Sequence, residues 1–178
     1  GGINLPNKSY YFDENKAEIR KQYMAHIDAM FAAAGLNEGA GVSVLAFETK
    51  LADVSKSPQE QRDPRASNNR YSKADFSNLC ENISWDAYYS ANGIGEFDTI
   101  VVGTPKFFDA IGKMVTSENV KNWKNYLNWC LINNYSGSLT QELLDLDFAF
   151  YSKELNGQKE MKEDWKRAVG NLTGNYIS

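Results

Sequence analysis

The chain is 178 residues long and carries 19 basic against 23 acidic side chains, a net charge of -4. That length describes one ordinary domain, or part of a larger one, which buries about 70% of its unfolded surface without disulfide or metal staples. The mildly acidic balance, with no basic block or stripe, argues against a nucleic-acid partner. No apolar run approaches the roughly 18 residues of a membrane span, and no signal peptide is recognisable.

Residues 3–12 lack helical period, and Pro6 holds Leu5 extended, so an entry arm anchored by Tyr10 and Tyr11 is expected. Asp13 suits an N-cap, and a helix from about Glu14 to Ala34 carries Ile19, Tyr23, Ile27, Met30 and Phe31 on one face. Gly35 is its stop signal. His26, the only histidine, sits one position off that stripe. No second His or Cys stands at i+3 or i+4, so it does not read as a metal ligand.

The next helix, from about Ala40 to Ser57, is the stretch around which the chain is organised. Val44, Phe47, Leu51 and Val54 form its apolar stripe at i, i+3, i+7 and i+10. Glu48 lies beside that stripe, and a carboxylate at the edge of a core requires a partner. Arg62 and Arg65, the nearest arginines in sequence, are the nearest candidates. The expectation is a structural Glu48–Arg62 pair that pins the corner between this helix and the E-Q-R-D-P turn. Ser57-Pro58-Gln59-Glu60 has capping-box form and opens a short helix or turn that ends by Pro64.

Residues 64–71 are polar and read as loop. Ser72 and Ser84 each introduce a short helix, the second closed by Gly93 and Gly95. Thr99-Ile100-Val101-Val102 is the one convincing strand. A lone strand cannot satisfy its own backbone, so it must pair, with the 3–5 arm or with protein outside the chain. Thr104-Pro105 starts a helix containing Phe107, Phe108, Ile111, Met114 and Val115. Ser117 caps another, whose stripe reads Val120, Trp123, Leu127, Cys130 and Leu131, with Gly137 as its end. A helix from about Leu139 to Leu155 is apolar over a wide arc and therefore central. After the Asn156-Gly157 turn a last helix carries Met161, Trp165, Ala168, Val169 and Leu172. The pattern is one all-α domain of about seven to eight helices with at most a minor short β element, and no repeat period divides it.

Four Trp, ten Tyr and nine Phe fit a bulky helical core better than a carbohydrate or peptide surface. Cys80 and Cys130 fall inside predicted helices beside apolar residues and read as buried free thiols rather than a disulfide. There is no H-E-x-x-H, no C-x-x-C, no G-x-S-x-G and no phosphate loop. Asp145/Asp147 and Glu163/Asp164 are too close along a helix to converge on one substrate atom. Asp13 and Asn15 have the spacing to begin a calcium loop, but Ala17 and Glu18 stand where a ligand and a turn glycine are needed. Sequons occur at Asn7, Asn82, Asn134 and Asn171. Residue chemistry alone thus describes a helical domain with no catalytic or metal-binding site of its own. A stand-alone helical peptide- or glycan-binding module is one reading of it.

The order of its segments resembles the N-terminal, lid-side half of neprilysin-like zinc endopeptidases, the family of neprilysin and the endothelin-converting enzymes. The residues that carry the resemblance are L-P-N-K-S-Y-Y at 5–11, F-E-T-K-L-A-D-V-S-K-S-P-Q-E-Q-R-D-P at 47–64, and W-D-A-Y at 85–88. I-V-V-G-T-P-K-F-F at 100–108, Y-L-N-W at 126–129, F-A-F-Y-S-K-E-L-N-G-Q-K-E at 148–160 and Trp165-Lys166-Arg167 complete it. Asn4 and Asp164 depart from the pattern. The resemblance implies a non-catalytic piece of a helical lid domain, residues 1–178, shaping a closed substrate chamber in an extracytoplasmic metalloendopeptidase that cleaves peptides. It also implies that zinc, its H-E-x-x-H ligands, the downstream glutamate and the N-A-Y/F segment belong to a catalytic domain later in the same polypeptide. The family's substrate-carboxylate arginines would precede residue 1, so no catalytic residue is carried over.

Overall fold

The computed structural model describes residues 2–36 and 39–176, with side chains as far as residue 170. The entry arm ends in a single helical turn, α1 (Ser9–Phe12), where the Asn7 side chain accepts the Ser9 N–H at 2.9 Å. A 3₁₀ turn (Glu14–Lys16) leads into α2 (Ala17–Ala33). Asp13 stands at the cap position of that turn, but its side chain makes no capping bond; its main-chain carbonyl instead accepts Arg20 Nη1 at 2.8 Å. Gly35 adopts φ +67°, and the Leu36 and Gly35 N–H groups return to the Phe31 and Ala32 carbonyls at 2.9 and 3.0 Å, closing α2 in a Schellman motif.

Helix α3 (Ala40–Val54) packs back along α2. Then come α4 (Pro58–Gln61) and α5 (Pro64–Ser67), strand β1 (Asn69–Ser72), α6 (Lys73–Leu79), α7 (Trp85–Ala91), strand β2 (Thr99–Val102) and α8 (Pro105–Met114). After a 3₁₀ turn at Ser117–Asn119 the chain forms α9 (Val120–Tyr135), α10 (Gln141–Asp147), a π-helix (Phe148–Leu155) and α11 (Asp164–Tyr176). The fold is mainly helical, with one two-stranded ladder among the described residues.

Several boundaries follow the local chemistry. The Ser57–Glu60 capping box forms in both directions, with Glu60 N–H on Ser57 Oγ at 3.3 Å and Ser57 N–H on Glu60 Oε2 at 2.7 Å. Ser72 Oγ accepts the Asp75 N–H at 3.0 Å. Ser84 and Thr104 take up their cap positions without side-chain bonds, and Ser117 bonds Glu118 instead of capping α9.

Five expectations are corrected. The polar run 64–71 contains the turn α5 and most of β1. That strand is the antiparallel partner of β2, in the register Asn69↔Val102 to Ser72↔Thr99; neither the 3–5 arm nor outside protein is needed. The expected single helix over 139–155 changes at Asp147 from α to π geometry. On α9 the buried residues are Tyr126, Trp129 and Ile132, whereas Val120, Leu127 and Leu131 of the expected stripe are 62, 52 and 59% exposed. On α11 Trp165, Ala168 and Val169 face solvent; Leu172 lies outside the described side chains. Cys80 is buried, Cys130 half-buried, and both are free thiols.

Two apolar clusters make the core, and α3 belongs to both. Val44 and Ala52 join Tyr23, Ile27, Met30, Phe31, Trp129 and the arm residues Leu5 and Tyr11. Phe47 and Leu51 join Met114 and Tyr126, with Phe47 stacked on Tyr126 at 4.6 Å and set edge-on to Trp123 at 4.7 Å. Close contact between α2 and α3 depends on Gly41. A Cβ there would fall on the Met24 carbonyl, 2.9 Å from its carbon, and the Gly41 N–H donates to Asp28 Oδ1 at 2.7 Å.

Gly41→Ala therefore forces two backbones apart and is expected to cost about 1–3 kcal/mol. Gly103→Ala, where a Cβ meets nothing within 4 Å, is expected to stay within about 0.5 kcal/mol of the parent. Urea midpoints of the two variants check the contrast.

Candidate functional site

The polar centre of the molecule is Glu48, fully buried on α3 where the entry arm, α2 and α9 converge. Its Oε1 accepts Asn4 Nδ2 at 2.6 Å, and its Oε2 accepts the hydroxyls of Tyr11 at 2.7 Å and Tyr23 at 2.9 Å. A second layer orients these donors. Tyr11 Oη accepts the Leu5 N–H at 3.1 Å and Tyr23 Oη accepts Trp129 Nε1 at 2.8 Å, so each hydroxyl proton is left for the carboxylate. Asn133 Nδ2 donates to Asn4 Oδ1 at 3.2 Å, which turns the Asn4 amide nitrogen toward Glu48.

The Glu48–Arg62 pair is corrected by this geometry. Arg62 is exposed, and no ion pair joins it to Glu48 among the described residues. Burying a guanidinium beside the carboxylate would require desolvating a second charge, whereas three neutral donors satisfy the acceptor at lower cost. Asn4, noted in the sequence only as a departure from a pattern, is one of those donors. Tyr11 and Tyr23 were legible as core residues, but their hydroxyls were not legible as ligands of Glu48.

Burial pushes the Glu48 carboxyl above its ordinary value, and hydrogen bonds from Tyr11, Asn4 and Tyr23 pull it partly back. Burial, and then the neighbouring carboxylate, hold the Tyr11 and Tyr23 hydroxyls well above the usual phenol range. A carboxylate shut from solvent in this way has no route to a substrate proton. Its three hydrogen bonds tie the entry arm, α1 and α2 to α3.

His26 occupies the adjoining aromatic layer. Its ring stacks on Phe150 at 4.8 Å and meets Trp129 and Tyr151 edge-on at 5.5 and 5.6 Å. The residue is 7% exposed and its Nε2 has no partner. Desolvation by this burial lowers its pKa to about 4. Among the described residues no group of three or more His, Cys, Asp or Glu side chains comes together to hold a metal ion, so the residues present do not fit a zinc site. The adjacent acids at the start of α11, Glu163 just before it and Asp164 within it, are occupied separately, by Lys166 at 3.1 Å and by Arg167 at 3.0 Å.

The other distinctive surface is an apolar groove of ≈ 600 Å³ along the outside of α9. Ile83, Val115, Val120, Trp123, Lys124 and Leu127 line it.

The N-terminal model of peptidase family M13 matches residues 1–177. Among curated relatives, endothelin-converting enzyme 1 of Rattus norvegicus is 25% identical over 98% of this chain and 24% of its own length. Neprilysin-3 of Drosophila melanogaster is 24% identical over 99% of this chain and 24% of its own. Among solved structures, the zinc metalloprotease Zmp1 of Mycobacterium tuberculosis superposes with a TM-score of 0.90 in its open state, at 30% identity over 98% of this chain and 28% of that one. Its inhibitor complex gives 0.91 at 29% identity, over 99% of this chain and 28% of that one. The chain thus spans about a quarter of the length of the relatives it matches.

Glu48→Ala leaves two buried hydroxyls and the half-buried Asn4 amide without this acceptor and is expected to destabilise the fold by about 3–5 kcal/mol. Arg62→Ala is expected to change stability by less than about 0.5 kcal/mol. Chemical denaturation of both variants decides between the polar cluster and the ion pair. For His26 the folded state resists protonation until about pH 4, while the unfolded chain takes up its proton near the ordinary value of about 6.5. Its contribution is therefore complete above the unfolded value and falls as the pH drops toward 4, by about 3 kcal/mol in all. His26→Phe should flatten that part of the stability–pH profile, measured by thermal unfolding between pH 7 and pH 4.

Proposed function

This chain belongs to peptidase family M13, and we propose that it forms a non-catalytic wall of the substrate chamber in a zinc metalloendopeptidase. In this reading residues 1–178 are a single helical domain on the lid side of the enzyme, where it limits entry to peptides that fit. The observation that carries the reading is a family match over residues 1–177 in a chain whose one histidine is enclosed by Trp129, Phe150 and Tyr151. Zinc in such an enzyme activates the water that attacks the peptide bond. What this chain supplies is shape: α2, α3 and α9 fixed about Glu48 so that the wall does not yield when a peptide presses on it. Its partner is then the catalytic domain of the same polypeptide, and the enzyme works outside the cytoplasm. Coverage of 24–28% of the relatives' lengths supports a longer polypeptide carrying the zinc ligands.

The 178-residue chain, given zinc and a quenched fluorescent peptide, is expected to show no turnover, whereas the complete polypeptide cleaves it and loses activity on chelation. Turnover by the chain alone that survives His26→Ala overturns the proposal. So does a reading frame that stops soon after Ser178 with no H-E-x-x-H beyond, which favours a stand-alone binding module.

A further inference from the structure

Helix α9 is apolar on two opposite faces. With a turn of 100° per residue, Tyr126, Trp129 and Ile132 point into the core, and Val120, Leu127, Leu131 and Tyr135 point away from it. The outer four are 52–62% exposed and recur at i, i+7, i+11 and i+15, the spacing of one helical ridge. The stripe runs about 22 Å along the helix, and at its N-terminal end Ile83, Val115 and Trp123 widen it into the groove. Exposed apolar side chains scattered singly need no explanation, but a continuous ridge of this length does. The inner face is satisfied without it: Trp129 is fully buried and bonded to Tyr23, and Tyr126 is stacked on Phe47.

We propose that the outer face of α9 is the docking surface for an amphipathic helix of the same polypeptide, from the part that follows Ser178, with a carboxylate set against Lys124. This deepens the reading of the chain as one wall of an M13 peptidase and rests on it. The relatives matched are about four times as long as this chain, so most of their polypeptide lies outside the matched segment. The straight ridge suits a helix, which packs its own ridge alongside. Charge selects the occupant: α9 carries Lys121 and Lys124 and no acidic residue, and neither lysine makes a hydrogen bond or ion pair among the described residues. Two copies joined through this face would oppose lysine to lysine, which disfavours self-association. A helix with an acidic flank meets the apolar ridge and the lysines together.

The test places a thiol on the ridge, Leu127→Cys in the complete polypeptide, and follows maleimide labelling of that site by mass spectrometry. The expected result is labelling at least about tenfold slower than in the same polypeptide unfolded in urea, unchanged on dilution. Val120→Cys, at the other end of the groove, gives the same reading if the first variant fails to fold. Zinc-dependent peptide cleavage is measured on the same samples. Labelling as fast as in urea by an active peptidase overturns the docking surface and leaves the family reading intact. Protection that disappears on dilution also overturns it, because the occupant is then a second copy. Protection without zinc-dependent cleavage upholds the surface while the peptidase reading fails.

Discussion

A single buried carboxylate fixes the arrangement of the helices. Glu48 has no cation beside it, so its charge is tolerable only while Asn4, Tyr11 and Tyr23 all donate to it. Those donors come from the extended arm, the first helical turn and α2, and Trp129 of α9 holds Tyr23 in place. Four separate parts of the chain are therefore set relative to α3 by one residue. An apolar side chain at position 48 would suit many neighbouring packings nearly equally, whereas a carboxylate needing three directed donors suits one. Gly41 acts on the same pair of helices by letting α3 lie against the Met24 carbonyl, which brings Tyr23 within reach of Glu48.

The π-helix extends this order to the other side of α2. It carries the consecutive residues Phe150 and Tyr151 against the ring of His26, one stacked and one edge-on. The histidine is thus held neutral in an aromatic box that also shares Trp129 and Tyr23 with the Glu48 cluster. The two clusters have opposite pH signatures. Burial lowers the histidine's affinity for a proton, so acid works against the fold there. Burial raises that of Glu48, so the charged form is the costly one and its contribution is greatest at low pH, declining as the pH rises through its raised folded value.

Helical class and most helix positions were legible in the sequence because they depend on local signals: the 3.6-residue period, Pro at N1, and Gly35 and Gly157 past helix ends; the family resemblance rested instead on the order of its motif segments. Partners across the fold were not. Sequence proximity pointed Glu48 to Arg62, but its ligands lie 44, 37 and 25 residues away, and a tyrosine in an apolar stripe gives no sign of where its hydroxyl points. Strand β1, N-R-Y-S, is polar and half-exposed, so no apolar alternation marks it; its identity comes from pairing with Thr99–Val102. The stripe on α9 was misread for a different reason. Both of its faces are apolar, and periodicity cannot say which of two apolar faces meets this core and which meets something else.

That ambiguity connects the interior to the surface. Leu127 and Trp129 are two residues apart on α9, and the bond from the Trp129 indole to Tyr23, which in turn donates to Glu48, fixes the rotation of the helix about its own axis. A rotation of one residue, 100°, would withdraw the indole from Tyr23, leave the buried Trp129 N–H unpaired and turn the outer ridge away. The direction in which Val120, Leu127 and Leu131 face is therefore set from within, by the same carboxylate that sets the crossing of α2 and α3. If the proposed helix docks there, a surface held in this way is already presented in one orientation, so less conformational entropy is lost on docking. Through Tyr23 and Trp129, Glu48 thus determines which face of α9 is turned outward.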